Sequence, residues 1–172
     1  MLCAEPPPER DVTAYSEVLD EIRTVIARAP REAPETVVAL LHDRFPHYDW
    51  VGIYWVEARD LVLGPWKGAA ATEHTRIPIG TGVCGAAAAS GRTEVVDDVS
   101  KDPRYLACFP STKSEIVVPI RAGTRVIGEI DIDGKELQAF NAADQLFLEA
   151  IAALLAMLWP AIPEIPTAAR PV

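Results

Sequence analysis

The chain has 172 residues, 49% of them hydrophobic, and carries a formal net charge of -9. This length and composition predict one folded domain and exclude a disordered chain, and the acidic balance argues against nucleic acid as a partner. We expect neither a signal peptide nor a membrane span, because the longest apolar run, at 150–159, is too short to cross a bilayer. Three cysteines without an export signal point to the cytoplasm, where a disulfide is more often catalytic than structural.

The predicted domain occupies residues 11–159, between a flexible tail at 1–10 and an irregular, proline-rich tail at 160–172. Its first part is helical, because apolar residues recur with helical spacing over 11–29 and a second helix is predicted at 34–45. The first of these helices is amphipathic, with one apolar face available for packing.

The middle of the chain is predicted to form a sheet. Runs typical of strands occur at 49–56, 61–64, 75–79, 93–96, 116–120 and 125–133. Hairpin turns are predicted at 57–60 and 122–123. A last helix begins after Asn141, a good N-cap with Asp144 in the first turn. Helices from both ends of the chain would pack on a central, mainly antiparallel sheet, which is an α+β fold.

Two of the cysteines lie in settings that packing alone does not require. Cys84 follows a glycine-rich turn at 80–82 and opens a run of small residues that predicts a short helix. The unpaired amides and the dipole at a helix N-terminus would favour the thiolate form of Cys84. Cys108 lies in a loop predicted at 97–113. Two thiols of this kind suggest redox chemistry.

The last predicted strand is unusually acidic. Because side chains alternate across a strand, Glu129, Asp131 and Asp133 share one face, and Glu115 begins the neighbouring strand. A solvated strand face is the simpler interpretation and is favoured on composition alone. The alternative is a pocket that binds an ammonium group and keeps one carboxyl protonated as a general acid. The cysteines on either side shift our preference to the pocket.

Other candidate residues carry weaker signals. Trp50 and Tyr54 share a strand face, where core packing is the default and an aromatic wall around a small ligand is the alternative. His74, a lone histidine, is more often a surface or hydrogen-bonding residue than a catalyst. We expect no metal ion and no cofactor, because neither a CxxC nor an HxxxH spacing is present.

Five blocks of sequence occur in a specific order, at 49–54, 61–65, 76–85, 114–119 and 128–133. Taken together they resemble the free methionine-(R)-sulfoxide reductases, a family built on a single GAF domain. The resemblance covers nearly everything outside the two tails. It implies a GAF-like fold and a thiol-dependent reductase that converts free L-methionine-(R)-sulfoxide to L-methionine and is recycled by thioredoxin.

The resemblance also implies roles for particular residues. Cys108 matches the cysteine that attacks the sulfoxide, and Cys84 matches a second redox cysteine. The positions that match the residues lining the substrate pocket are Trp50, Tyr54, Glu115, Asp131 and Asp133. The third cysteine usual in the family falls at His74, so Cys84 is the expected resolving thiol, unless an external thiol does that work.

In the implied mechanism, Cys108 attacks the sulfoxide sulfur while Glu115 or Asp133 protonates the departing oxygen. The resulting sulfenic acid condenses with Cys84, and thioredoxin reduces the disulfide. Two other hypotheses are a non-catalytic GAF module that binds a small molecule and a redox sensor whose disulfide is the signal. The apolar helices at the two ends of the chain suggest a homodimer face.

Overall fold

The structure, a computed structural model, describes residues 12–159 and 170–171. Within these residues the helices are α1 (Val12–Arg28), α2 (Ala33–Arg44), α3 (Gly82–Ser90) and α4 (Ala142–Ala156). The strands are β1 (Trp50–Glu57), β2 (Asp60–Gly68), β3 (Arg76–Pro78), β4 (Glu94–Val96), β5 (Ser114–Ala122), β6 (Arg125–Gly134) and β7 (Arg170–Pro171). None of the helices seen in this part of the chain is long and apolar enough to cross a membrane.

All these strands belong to one sheet. Its order is β3-β2-β1-β6-β5-β4, and each neighbouring pair in this order is antiparallel. The α+β fold predicted from the sequence is therefore confirmed. The short β7 pairs parallel with β2, although an irregular tail was expected there. The remainder of that tail, and the tail predicted at 1–10, lie outside the described residues.

One face of the sheet carries the main core. The side chains of β1, β5 and β6 that point to this face are apolar and inaccessible to solvent: Val51, Ile53, Ile116, Val118, Ile130 and Ile132. They pack against apolar side chains of α1, α2 and α4. Because side chains alternate along a strand, the residues between them are directed to the opposite face. That second face carries the predicted site residues.

The helix face also contains a buried charge with several partners. Asp144, near the start of α4, is fully buried and completes a capping box with Asn141, as predicted. Its Oδ1 accepts hydrogen bonds from the Tyr15 hydroxyl at 2.7 Å and the Tyr48 hydroxyl at 2.8 Å, and lies 2.8 Å from His47 Nε2. Although burial would raise its pKa, the bonds from His47, the Asn141 amide and Tyr15 hold the pKa of Asp144 below its ordinary value.

Strand β2 is longer than the sequence predicted. The predicted strand ended at Gly64, directly before a proline, which cannot donate a hydrogen bond within a sheet. In the structure β2 continues through Pro65, where Gly52 pairs with Trp66 but Tyr54 pairs with Leu63. Two residues of β2 thus lie opposite one residue of β1, and this bulge accommodates the proline.

Candidate active site

Four carboxyl groups meet on the second face of the sheet. Glu129, Asp131 and Asp133 alternate along β6, and Glu115 lies directly opposite Asp133 on β5. All four side chains are buried, with 0 to 6% of their surface exposed. The interpretation of this strand as a solvated face is therefore wrong. A solvated face and a buried pocket give the same alternating pattern in the sequence of β6, because the segments that cover the strand lie far away in the chain.

These carboxyl groups have few partners among the described residues. Five oxygens make no hydrogen bond there: Glu115 Oε2, Glu129 Oε1, Glu129 Oε2, Asp131 Oδ1 and Asp133 Oδ2. Burial raises the pKa of each carboxyl, and so does the negative charge of neighbouring carboxylates. The pKa of Asp133 is raised to about 7. A group with this pKa can both donate and accept a proton near neutrality.

Cys84 lies among these carboxyls. It is the third residue of α3 and is buried, and its Sγ donates to Glu115 Oε1 at 3.8 Å. Burial and the charges of Asp131, Glu129 and Glu115 raise the pKa of the thiol well above its ordinary value. The expectation that the helix N-terminus favours a Cys84 thiolate is therefore wrong, because burial and the nearby negative charges outweigh the helix dipole.

Cys108 is half-buried in the loop between β4 and β5. Its Sγ donates to the Leu106 carbonyl at 3.5 Å. Burial, Asp131 and Asp133 raise the pKa of the thiol, and the Thr72 hydroxyl opposes this shift. The loop packs closely on the turn before α3, since a Cβ added at Gly82, where φ is 72°, would lie 2.8 Å from Leu106.

The predicted aromatic pair forms part of this region. Trp50 pairs across the sheet with Asp133, and Tyr54 pairs with Glu129. The ring of Trp50 lies flat over Gly52, where an added Cβ would come within 2.3 Å of it. It stacks on the Trp66 ring, with 6.2 Å between the ring centroids, and its centroid lies 5.9 Å from that of Phe109, the residue after Cys108. Its Nε1 makes no hydrogen bond to a described residue.

His74 connects the aromatic pair to the cysteine loop. Its carbonyl accepts a hydrogen bond from the Tyr54 hydroxyl at 2.9 Å, and its Nε2 lies 3.3 Å from the Ala107 carbonyl. Its backbone amide donates to the Thr72 hydroxyl at 3.1 Å. The sequence predicted a surface or hydrogen-bonding role for His74, and the hydrogen bonds agree with the second of these. The structure makes it a contact of the segment that carries Cys108.

A cavity of about 170 Å³ opens beside these groups and is lined by Trp50, Phe109, Thr112 and Asp133, among other residues. Of the predicted site residues, Trp50 and Asp133 line this cavity. Thr72 and Phe109 were missed by the sequence analysis. Phe109 could have been noticed from its position next to Cys108, whereas nothing in the sequence around Thr72 distinguishes it from an ordinary loop threonine.

Comparison with known proteins identifies the family. The GAF domain family matches residues 30–159. The free methionine-R-sulfoxide reductase of Escherichia coli is 38% identical over 68% of this chain and 70% of its own length. The enzyme of the same name from Saccharomyces cerevisiae is 42% identical over 62% of this chain and 61% of its own.

A solved structure agrees with these sequence matches. The free methionine-R-sulfoxide reductase of Neisseria meningitidis, in complex with its substrate, has a TM-score of 0.81 and 39% identity, covering 92% of this chain and 96% of its own. Fold and sequence lead to the same assignment. The chain belongs to the free methionine-(R)-sulfoxide reductase family of GAF domain proteins.

Proposed function

We propose that this protein reduces free L-methionine-(R)-sulfoxide to L-methionine. The observation that carries the proposal is the group of buried carboxyls without a cationic partner, next to two thiols. Among the described residues, no lysine, arginine or histidine forms an ion pair with Glu115, Glu129, Asp131 or Asp133. Buried carboxylates without a counter-ion are costly, so a ligand that brings a positive charge is favoured. Free methionine sulfoxide brings an α-ammonium group.

In this mechanism Asp131 and Asp133 bind the ammonium group, and Trp50 and Tyr54 form the wall beside the side chain of the substrate. The positive charge offsets the two carboxylates that raise the pKa of Cys108. Substrate binding therefore lowers the pKa of the nucleophile. The Cys108 thiolate is therefore formed when the substrate is bound next to it.

The first chemical step breaks the bond between sulfur and oxygen of the sulfoxide. The Cys108 sulfur attacks the sulfoxide sulfur while an acid protonates the oxygen, which ends on Cys108 as a sulfenic acid as methionine departs. Glu115 and Asp133 are the candidate acids. We favour Glu115, because Asp133 is needed as a carboxylate for the ammonium group, whereas burial and the charges of Asp131 and Asp133 raise the pKa of Glu115 well above its ordinary value.

The second step returns Cys108 to the reduced state. The Cys84 thiol attacks the sulfenic sulfur, an S–S bond forms between Cys84 and Cys108, and water leaves. The dithiol of thioredoxin, a cytoplasmic reductant, then reduces this disulfide and is itself oxidised. Cys84 takes this role because His74 occupies the position where the family usually has a third cysteine.

The same carboxylates explain a preference for the free amino acid. A methionine sulfoxide within a polypeptide has no α-ammonium group to offer Asp131 and Asp133. Its flanking chain would also collide with the walls of the small cavity. Leaving the carboxylates unpaired costs several kcal/mol, which would be the size of the discrimination.

The test is thioredoxin-coupled oxidation of NADPH with the free R epimer, the free S epimer and a peptide-bound sulfoxide. We expect turnover of the free R epimer alone, abolished in Cys108→Ser. In Cys84→Ser we expect a single stoichiometric reduction without turnover. Full turnover in Cys84→Ser would refute its resolving role while leaving the reductase intact.

The same experiment separates the other hypotheses. Binding of methionine sulfoxide without turnover, with thioredoxin and with a small dithiol, would favour a non-catalytic GAF module. Formation of the disulfide with peroxide and indifference to methionine sulfoxide would favour a redox sensor. A homodimer is proposed as well, and Leu146 and Met157 on and just after α4 are exposed apolar side chains that it could cover. Sedimentation at several protein concentrations tests it.

A further inference from the structure

The buried acidic cluster has a second chemical character, because it contains a thiol as well as carboxyl groups. The Cys84 thiol, a Glu115 carboxylate oxygen and an Asp131 carboxylate oxygen all lie within 4.8 Å of one another. A thiol and two carboxylates are a ligand set that zinc accepts in proteins. We propose that Cys84, Glu115 and Asp131 form a binding site for a thiophilic divalent metal ion such as Zn²⁺.

The distances support such a site. A tetrahedral zinc ion bound to sulfur at ~2.3 Å and to oxygen at ~2.1 Å holds the two ligand atoms about 3.6 Å apart. Cys84 Sγ and Glu115 Oε1 are separated by 3.8 Å. Only small side-chain movements are therefore needed to bring the three ligand atoms to bonding distance.

An independent observation concerns Glu129. This side chain is fully buried and the Cys84 thiol lies beside it, but neither of its carboxylate oxygens accepts a hydrogen bond from an amide, a hydroxyl or a cationic side chain of the described residues. Such a group is costly to bury unless something binds it. A metal ion bound by Cys84, Glu115 and Asp131 would bring a positive charge near this carboxylate and offset the cost of burying it.

No metal ion was expected from the sequence, because neither a CxxC nor an HxxxH spacing is present along the chain. These ligands come from separate elements: Cys84 from α3, Glu115 from β5 and Asp131 from β6. Strand pairing brings the two carboxylates together, since Glu115 lies opposite Asp133, two residues from Asp131, and the Cys84 thiol donates to Glu115. Local sequence motifs do not reveal a site assembled in this way.

The proposed site has a consequence for the reaction. An ion on Glu115 and Asp131 occupies groups that the proposed function assigns to substrate and takes up the thiol assigned to recycling. Zinc would then inhibit the reductase in competition with methionine sulfoxide. A Cys84-Cys108 disulfide has no thiol to offer, so only the reduced protein binds the ion. These two effects rest on the proposed function, whereas the binding itself does not.

The test uses Co²⁺ as a spectroscopic substitute for Zn²⁺ and two matched proteins, each with a single cysteine. One retains Cys84 (Cys3→Ser with Cys108→Ser), and the other retains Cys108 (Cys3→Ser with Cys84→Ser). We expect a thiolate-to-cobalt charge-transfer band in the first protein alone, removed when Zn²⁺ is added. No band in the first protein, or an equal band in the second, would overturn the proposal.

Further variants of the first protein test the carboxylate ligands. We expect Glu115→Gln and Asp131→Asn each to weaken Co²⁺ binding by about tenfold or more. The exposed Glu136→Gln is the control and should leave the affinity unchanged. Unaltered affinity in both pocket variants, with circular dichroism showing that they are folded, would refute this ligand set.

Activity measurements keep the two proposals apart. In the wild-type protein we expect Zn²⁺ to raise the apparent KM for methionine sulfoxide. A protein that binds Co²⁺ through Cys84 but never turns over would retain the metal site and lose the proposed function. A protein that turns over without showing the band would retain the function and lose the metal site.

Discussion

Each face of the sheet buries an aspartate, but one is surrounded by hydrogen-bond donors and the other by further acidic groups. Asp144, on the helix face, is surrounded by donors from Tyr15, Tyr48 and His47. Asp131, on the other face, has Asp133 as a neighbour and one oxygen without a hydrogen bond to the described residues. The pKa of Asp144 is lowered and the pKa of Asp131 is raised.

This difference distinguishes an acid with a structural role from one that the proposed function assigns to substrate binding. The donors around Asp144 stabilise its charge within the folded protein, so nothing further is needed from outside. The carboxyls around Asp131 remain costly until a positively charged group arrives. Perturbed carboxyls of this second kind are typical of binding and catalytic sites.

The largest effect is expected from removing the charge of Asp131. In Asp131→Asn the α-ammonium of the substrate loses one of its carboxylates, so KM should rise by about a thousandfold, or about 4 kcal/mol. Steady-state kinetics with free methionine sulfoxide measure this. The same variant should be about 1 kcal/mol more stable to urea without substrate, since it relieves repulsion. An unchanged KM would remove Asp131 from the substrate site.

Neutralising Asp144 should lower stability and leave KM unchanged, the reverse of the effect expected for Asp131. In Asp144→Asn the hydroxyls and His47 lose their acceptor charge, and the free energy of unfolding should fall by about 3 kcal/mol. Urea denaturation followed by circular dichroism measures the loss. The KM of the folded variant should stay close to the wild-type value. A stability equal to that of the wild type would mean that the hydrogen bonds around Asp144 contribute little.

The pH dependence of stability should also have opposite signs at the two sites. The pKa of Asp133 is raised from 3.8 to about 7, so its stabilising contribution is present below pH 3.8 and is lost as the pH rises towards 7. One such group changes the free energy of unfolding by about 1.4 kcal/mol per pH unit. The pKa of Asp144 is lowered, so its contribution is present above pH 3.8 and is lost as the pH falls.

Urea denaturation of wild type, Asp133→Asn and Asp144→Asn at a series of pH values tests these signs. Asp133→Asn should flatten the decline of stability between about pH 5 and pH 7. Asp144→Asn should instead flatten the loss of stability that occurs as the pH falls below about 3.8. A decline that persists unchanged in Asp133→Asn would assign the proton to another carboxyl of the pocket.

The smallest expected effect concerns Thr72, whose hydroxyl lowers the pKa of a neighbouring group, as the hydrogen-bond donors around Asp144 do. It lowers the pKa of Cys108 against the effects of burial and of Asp131. In Thr72→Val, alkylation of Cys108 by iodoacetamide should slow by about threefold at neutral pH, with a shift of its pH profile to higher pH. Thr72→Ser should retain the wild-type profile. An unshifted profile in the valine variant would mean that Thr72 only packs.

Much of this arrangement could be predicted from the sequence. Period-2 alternation placed Glu129, Asp131 and Asp133 on one face, and the capping pattern placed Asn141 at the start of α4. The strand pattern alone favoured a solvated face for the acids, and only the flanking cysteines shifted the preference to a pocket, because burial depends on α3 and the Cys108 loop folding over the sheet. The environment of Cys84 depends on β5 and β6 in the same way, so its raised pKa was missed as well.

The raised pKa of Cys108 has a consequence for survival under oxidation. Peroxide reacts with thiolates far faster than with protonated thiols. A resting protein whose proposed nucleophile stays protonated is therefore slow to be driven to the irreversible sulfinic and sulfonic acids. The conditions that oxidise free methionine would then leave this cysteine intact until a sulfoxide enters the pocket.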